Sequence, residues 1–397
     1  MHYASGIMVL LLAVACGPAP TVRPGLDVLL TDSLHLVEGR RIGLLANHAA
    51  VDAHGIDALT RLRNAGLNVT AIFSPEHGWR GRLDTENIGD SRDSATGLPV
   101  FSLYGEVREP TPAMLATVDV ILADLPDIGA RTFTYVSTVL RALRAAGEAG
   151  VPVVVLDRPN PIGGVLVQGP LLDTAFASFV GMLPVALRHG MTLAELVRLG
   201  ADALRIPASL HVVPADGWTR GQWFDETGLP WVQPSPNMPG LESATHYPGL
   251  VLFEATSLSV GRGTPIAFQV VGAPWLDAPS LAVALDSLPG VSVRDTVITP
   301  IDATDAKHDG VTFPAVRLTV TDRLVYDPVA AAVTALAWLS HHAPEALAIN
   351  ARRFDQLAGG PGLRLALEAG LAPKAVVAGW QDALTRFAET RARYLLY

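Results

Sequence analysis

The sequence predicts an α/β protein: a doubly wound, mostly parallel sheet followed by a smaller α+β domain. Three observations predict it. Residues 41–164 alternate short apolar, β-branched runs with helical stretches, the pattern of strands buried on both faces. Beyond about residue 250 the runs alternate apolar and polar instead, as half-buried antiparallel strands do. A chain of 397 residues also exceeds one ordinary core, so two domains are expected, over residues 25–250 and 251–397.

Ahead of both lies a candidate targeting segment. Residues 7–15 form an unbroken apolar run, too short to cross a bilayer as a helix. The run ends Leu12-Ala13-Val14-Ala15-Cys16-Gly17, small residues and then the chain's single cysteine, which resembles a bacterial lipoprotein cleavage site. A lone cysteine has no internal disulfide partner, and its thiol suits lipid attachment. Residues 1–16 are therefore expected to be a lipoprotein-type signal peptide, and residues 17–24 a short tether. The protein would be exported and anchored in the cell envelope, at the periplasmic or outer surface.

In the first domain, strands are expected at residues 41–47, 68–73, 100–104, 118–124 and 151–157, with helices at 56–65 and 135–149. In the second, strands are expected at 292–299 and 316–321, with helices at 280–288, 328–339 and 380–387.

Composition excludes several functions. A net charge of −9 argues against nucleic acid, whose phosphates need a basic face, and against a polybasic membrane patch. Membrane contact is expected only through the N-terminal lipid. Lysine occurs only at Lys307 and Lys374, so an anionic ligand would be met by individually placed arginines. The first strand is not followed by G-x-G-x-x-G, and neither Gly-Lys-Ser/Thr nor G-x-S-x-G occurs. A single cysteine cannot build a Cys-based zinc site, and the adjacent His341-His342 pair lacks the same-face spacing of metal ligands. Neither a cofactor nor a metal is implied.

Parallel sheets place ligands outside the carboxyl ends of their strands. Those positions are strongly polar here: Asn47-His48, then Ser74-Pro75-Glu76-His77-Gly78, then Asp124 with Asp127 and Arg131, then Asp157-Arg158 with Asn160. Such residues also cap helices and start turns, but together they suggest a polar crevice. Hydrolysis of a glycoside needs a protonated carboxylic acid beside the leaving oxygen and, usually, a second carboxylate. Glu76, at a strand-to-loop corner between Pro75 and His77, is the candidate acid, with further carboxylates expected close by. Asp124 and Asp127, with Asp157 as a third choice, are the candidate partners.

These residues carry a resemblance. The stretches Ser74-Pro75-Glu76-His77-Gly78-Trp79-Arg80-Gly81 and Thr96-Gly97-Leu98-Pro99-Val100-Phe101-Ser102-Leu103-Tyr104-Gly105 are similar to signatures of the exo-β-N-acetylmuramidase family, formerly a domain of unknown function. So are the blocks from Asp124 to Tyr135 and from Leu156 to Gly164, the Pro234-Ser235-Pro236-Asn237-Met238-Pro239 run, and Tyr247-Pro248-Gly249. Leu252-Phe253-Glu254-Ala255-Thr256, Gly261-Arg262-Gly263-Thr264, Gly272-Ala273-Pro274-Trp275 and the terminal Tyr394-Leu395-Leu396-Tyr397 complete the series. The resemblance implies a Rossmann-like catalytic domain, an auxiliary C-terminal domain and a cleft between them. It implies release of terminal N-acetylmuramic acid from the non-reducing end of peptidoglycan fragments, with Glu76 catalytic. Asn47, His77, Arg131, Asp157, Arg158, Asn160, Asn237, Glu254, Arg262 and Thr264 are the residues expected to bind the saccharide.

Arg262 stands out among them, because arginine meets a planar carboxylate with two parallel hydrogen bonds and muramic acid carries a lactyl carboxylate. Arg131 and Arg158 are its rivals, and pairing with Glu254 or Asp277 is the structural alternative. The chain departs from the family at Gln269, where a glutamate is usual, which bears on substrate preference. Two other functions remain compatible with the residues: a lipoprotein that captures cell-wall sugars without cleaving them, and a hydrolase of another acidic N-acetylated sugar.

Overall fold

Four apolar runs, all of them buried, build the centre of the molecule. They are β1 (Ile42–Ala46), β2 (Val69–Ser74), β5 (Val120–Asp124) and β6 (Val153–Leu156). Shorter strands extend the sheet: β3 (Ser91–Arg92), β4 (Pro99–Ser102) and β9 (Leu210–Val213). The structure, a computed structural model, describes residues 22–397 apart from Glu86; Cys16 and the expected signal segment lie outside the described residues. The described residues form a seven-stranded sheet in the order β3-β4-β2-β1-β5-β6-β9, parallel throughout except for the β3–β4 pair.

The order reverses beside β1. The chain runs outward through β2 and β4 on one side, then returns to place β5 on the other. The chain therefore leaves the carboxyl ends of β1 and β5 toward opposite faces of the sheet, which opens the crevice at which open α/β sheets bind ligands. Helices cover both faces. Tyr135–Glu148 and Leu193–Ala203 pack on one, the latter opened by a capping box in which Thr192 and Glu195 satisfy each other's backbone amides. Gly25–Asp32 and Ala58–Asn64 pack on the other, Asp57 capping the second of these. The close approach of Gly25 requires a glycine: a Cβ there would lie 2.6 Å from the Asp157 nitrogen.

A two-stranded ribbon, β7 (Gln168–Leu171) with β8 (Ala186–Arg188), flanks this sheet. The smaller part carries an antiparallel sheet in the order β10-β12-β11, from β10 (Val270–Gly272), β11 (Val291–Ile298) and β12 (Phe313–Val320). Its helix Pro328–His342, capped by Asp327, packs on Leu241–Leu250 so tightly that a Cβ at Gly249 would meet the Pro328 carbonyl. The helix 241–250, assigned from sequence to the first domain, thus lies against the second. The tether also ends earlier than expected: Val22 is buried and the Arg23 backbone exchanges two hydrogen bonds with Asp216.

The terminal Tyr394-Leu395-Leu396-Tyr397 block folds back onto the first part. Its Leu396 amide donates to Glu195, and the Tyr397 hydroxyl donates to Asp157 at 2.7 Å. Asp157 also accepts from the Thr192 hydroxyl and the Ala194 amide. Its carboxyl is fully buried, and that burial pushes its pKa up to about 6. A folded-state pKa above the unfolded one holds the proton more tightly in the fold, so Asp157 adds stability at low pH that fades as pH rises. Between about pH 4 and pH 6, Asp157→Asn should therefore flatten the fall in melting temperature seen in the native chain. Thermal melts across that range, with an unchanged slope in the variant, would contradict this account of the residue.

Candidate active site

Glu76 stands two residues beyond β2, in a loop whose backbone is forced into tight turns. His77 and Gly78 both take left-handed conformations, with φ of 71° and 72°. For histidine that region is sparsely populated, and such strain collects at functional sites. The loop closes through hydrogen bonds from Gly78 to the Pro75 carbonyl and from Leu83 to the His77 carbonyl. Gly81 also has positive φ, and a Cβ there would fall 1.9 Å from the His48 ring. Bare backbone at that position lets the loop after β2 settle on the end of β1.

The Glu76 carboxylate accepts a hydrogen bond from the Thr134 hydroxyl, at the start of helix Tyr135–Glu148. Three tyrosines surround it. Burial raises the pKa of Tyr104, Tyr135 and Tyr247, and the Glu76 charge raises each further. Tyr135 is anchored through its hydroxyl, which donates to the Pro234 carbonyl at 2.6 Å and accepts from the Asn47 amide at 2.8 Å. Tyr135, Phe133, Tyr247 and Phe268 pack in a continuous aromatic row, with successive ring centroids 4.6, 6.4 and 4.7 Å apart.

Further along the same loop, Asp84 collects donors from distant segments. Its Oδ2 accepts from the Asn237 amide at 2.9 Å, from Arg262 Nη1 at 3.1 Å and from the Thr304 hydroxyl. Its other oxygen lies 3.6 Å from His77 Nδ1, which itself contacts the Leu83 carbonyl at 2.8 Å. Arg262 turns its remaining nitrogens onto Glu254. Burial opposes the arginine's charge, but Glu254 and Asp84 together hold its pKa above the ordinary value. Lys307 pins the Glu254 loop by donating to the carbonyls of Phe253, Glu254 and Leu258.

Of the residues expected at the site, the structure brings together Glu76, His77, Asn237, Glu254 and Arg262. The others are occupied elsewhere. Asn47 is buried and braces Tyr135 and Pro234. Asp124 is fully buried and paired with Arg158, at 2.5 and 2.9 Å. Asp127 accepts from the Gly129 amide and lies 3.3 Å from His189, on the wall of an apolar pocket shared with Arg158, Phe224, Trp231 and Pro234. None of Asp124, Asp127 and Asp157 shares a hydrogen bond with Glu76 among the described residues, and each has its own partners within the fold.

Arg131 is likewise spent, donating to the carbonyls of Pro170, Val185 and Leu357 and so tying the two parts together. Asn160 bonds Met191 and Ile162 in the core, and Thr264 closes its own turn onto Gly261. Gln269 accepts from Arg317 and donates to Ser243, so the departure from the family pattern lies in the packing of the second sheet. Sequence reasoning overlooked Asp84, Tyr104, Thr134, Tyr135, Tyr247 and Thr304 as site residues. The three tyrosines lay within recognised motifs, whereas Asp84 was one acidic residue in a polar loop.

A family model described as the N-terminal part of exo-β-N-acetylmuramidase NamZ matches residues 42–242, and the C-terminal model matches residues 245–397. The chain belongs to the NamZ family. It is 40% identical to the peptidoglycan β-N-acetylmuramidase NamZ of Bacillus subtilis, over 95% of this chain and 92% of that protein. Among solved structures, it superposes with a TM-score of 0.88 on a DUF1343 family protein of Bacteroides fragilis, at 32% identity. That match covers 96% of this chain and all of the other. A second DUF1343 protein of the same bacterium gives a TM-score of 0.75 at 29% identity, covering 95% and 99% of the two chains.

The NamZ-type cleft depends on Asp84 for its geometry. Asp84→Ala would leave Asn237, Arg262 and Thr304 without their shared acceptor, a cost of about 2 kcal/mol for a mostly buried site. The expected result is a lowered melting temperature together with a loss of turnover of about tenfold or more. Unchanged values of both would remove Asp84 from the framework.

Proposed function

We propose that Glu76 is the proton donor of an exo-acting β-N-acetylmuramidase that releases terminal N-acetylmuramic acid from peptidoglycan fragments. The observation that carries this reading is its placement. In a chain of the NamZ family, the glutamate of the Ser74-Pro75-Glu76-His77-Gly78 motif stands beside the strand-order reversal, hydrogen-bonded to Thr134 and faced by tyrosines. As the glycosidic bond breaks, the carboxyl proton passes to the leaving oxygen, and positive charge gathers on the anomeric carbon.

Glu254 is the better second carboxylate. One of its oxygens is held by Arg262, while the other makes no hydrogen bond among the described residues. That free oxygen is available to take the proton of the attacking water or to bond the anomeric carbon. Arg262 then orients Glu254, a role close to the ion pairing foreseen as its structural alternative. Glu76→Gln should preserve the fold and saccharide binding while lowering turnover about 10²-fold or more, the scale of lost general acid catalysis. Glu254→Gln should follow it, ahead of Asp124→Asn and Asp127→Asn. Near-native turnover of the Glu76 variant on an aryl β-N-acetylmuramide would remove that residue from the mechanism.

Export and lipid attachment at Cys16 complete the proposal, on the strength of the apolar run and small residues before that cysteine. In membrane fractionation, Cys16→Ala should move the protein from the detergent-extracted fraction to the soluble exported one. A native protein that carries no lipid and washes off freely would contradict the anchor.

A further inference from the structure

The muramic carboxylate needs a cation, and the three arginines expected to supply it are committed within the protein. Arg262 serves Glu254 and Asp84, Arg131 serves backbone carbonyls, and Arg158 serves Asp124. We propose that Arg108, supported by Arg141, recognises the free lactyl carboxylate of the terminal sugar. This assignment rests on the muramidase reading above.

Arg108 lies on the segment that follows β4, and its guanidinium packs against two rings. Its central carbon lies 4.5 Å from the Tyr104 ring centroid and 4.7 Å from that of Phe179. Those rings are themselves in contact, with centroids 5.7 Å apart. The Tyr104 hydroxyl is the link to the chemistry, since Glu76 and Arg108 both act on its ionisation, the first opposing and the second favouring it. Tyr104, which packs under Arg108, thus connects that guanidinium to the carboxyl that would cleave the bond.

Arg108 pairs with no carboxylate among the described residues. Arg141 shares the Phe179 ring, at 5.4 Å, and its buried Nε has no hydrogen-bond partner. The nearby acid Glu109 is paired with Arg144. Two cations thus share one ring, neither in a salt bridge among the described residues, in a groove that Glu106, Glu109 and Glu148 also line. Stacking fixes the planar fork before any ligand arrives, so less side-chain freedom is lost when a carboxylate binds. Neither remaining arginine of the Glu76 loop is equivalent: Arg80 is paired with Asp93, and Arg82 is exposed without a ring beneath it.

The test compares an aryl β-N-acetylmuramide with its lactyl carboxamide, which keeps the shape and loses the charge. The wild-type chain should favour the acid through KM. Arg108→Gln should raise KM for the acid about 10- to 100-fold, the range of a charge-assisted hydrogen bond. With kcat little changed, the preference for acid over amide should collapse. Arg141→Gln should shift the same preference less, and gives a second reading if the Arg108 variant folds poorly. Equal losses on both substrates, or a wild-type chain that cleaves them alike, would overturn the assignment while leaving the muramidase reading intact. A wild-type chain that cleaves neither would defeat both.

Discussion

The carboxylate of Asp84 is a point at which the two parts of the chain close on each other, beside the site. It accepts from Asn237, Arg262 and Thr304, residues 153, 178 and 220 positions further along. Gathering three donors on one oxygen suits a charge, because ionised acceptors form stronger hydrogen bonds than neutral ones. The Asp84 side chain is 17% exposed, so leaving those donors unmet would cost heavily. This single acceptor holds the loop after β2, and with it His77, against the segments that carry Glu254 and Arg262. The cleft depends on that closure.

The rest of the site follows from how polar groups are shared around the sheet. At the strand-order reversal, Asn47 and Tyr135 spend their polar atoms bracing Pro234, which keeps the crevice wall rigid. Glu76 is left with Thr134 as its hydrogen-bond donor and with tyrosines as neighbours. Arginines divide in the same way. Those within the fold hold carboxylates or carbonyls, and the pair stacked on Phe179 remains unmatched beside Tyr104. A chain nearly devoid of lysine can thus be acidic overall and still present planar cations at one place.

The central strands were legible because burial on both faces demands continuous apolar runs, and β1, β2, β5 and β6 supply them. The edge strand β9, half exposed, and the two-residue β3 carry too little of that pattern to be read. Helix Leu193–Ala203 was missed although its Thr192 and Glu195 capping signal stood in the sequence. At the site, Glu76, His77, Asn237, Glu254 and Arg262 were legible through their motifs. The strand-end rule located the crevice but could not tell a carboxylate facing it from one engaged within the fold. Asp124, Asp127 and Asp157 all follow that rule, yet an arginine, a backbone amide beside His189, and Tyr397 with Thr192 occupy them. Asp84 was illegible because its partners are distant in the chain.

If the loop after β2 delivers Glu76 to the glycosidic oxygen of a terminal muramic acid, a trapped substrate complex will show the contact. The most direct measurement is a crystal structure of the Glu76→Gln variant soaked with a β-1,4-linked N-acetylmuramic acid–N-acetylglucosamine disaccharide. The linking oxygen is expected at about 2.6–3.2 Å from the residue 76 side chain, with the muramic ring between Tyr104 and Glu254. A disaccharide ordered elsewhere, such as in the apolar pocket beside Asp127 with its linkage out of reach of residue 76, would contradict that expectation.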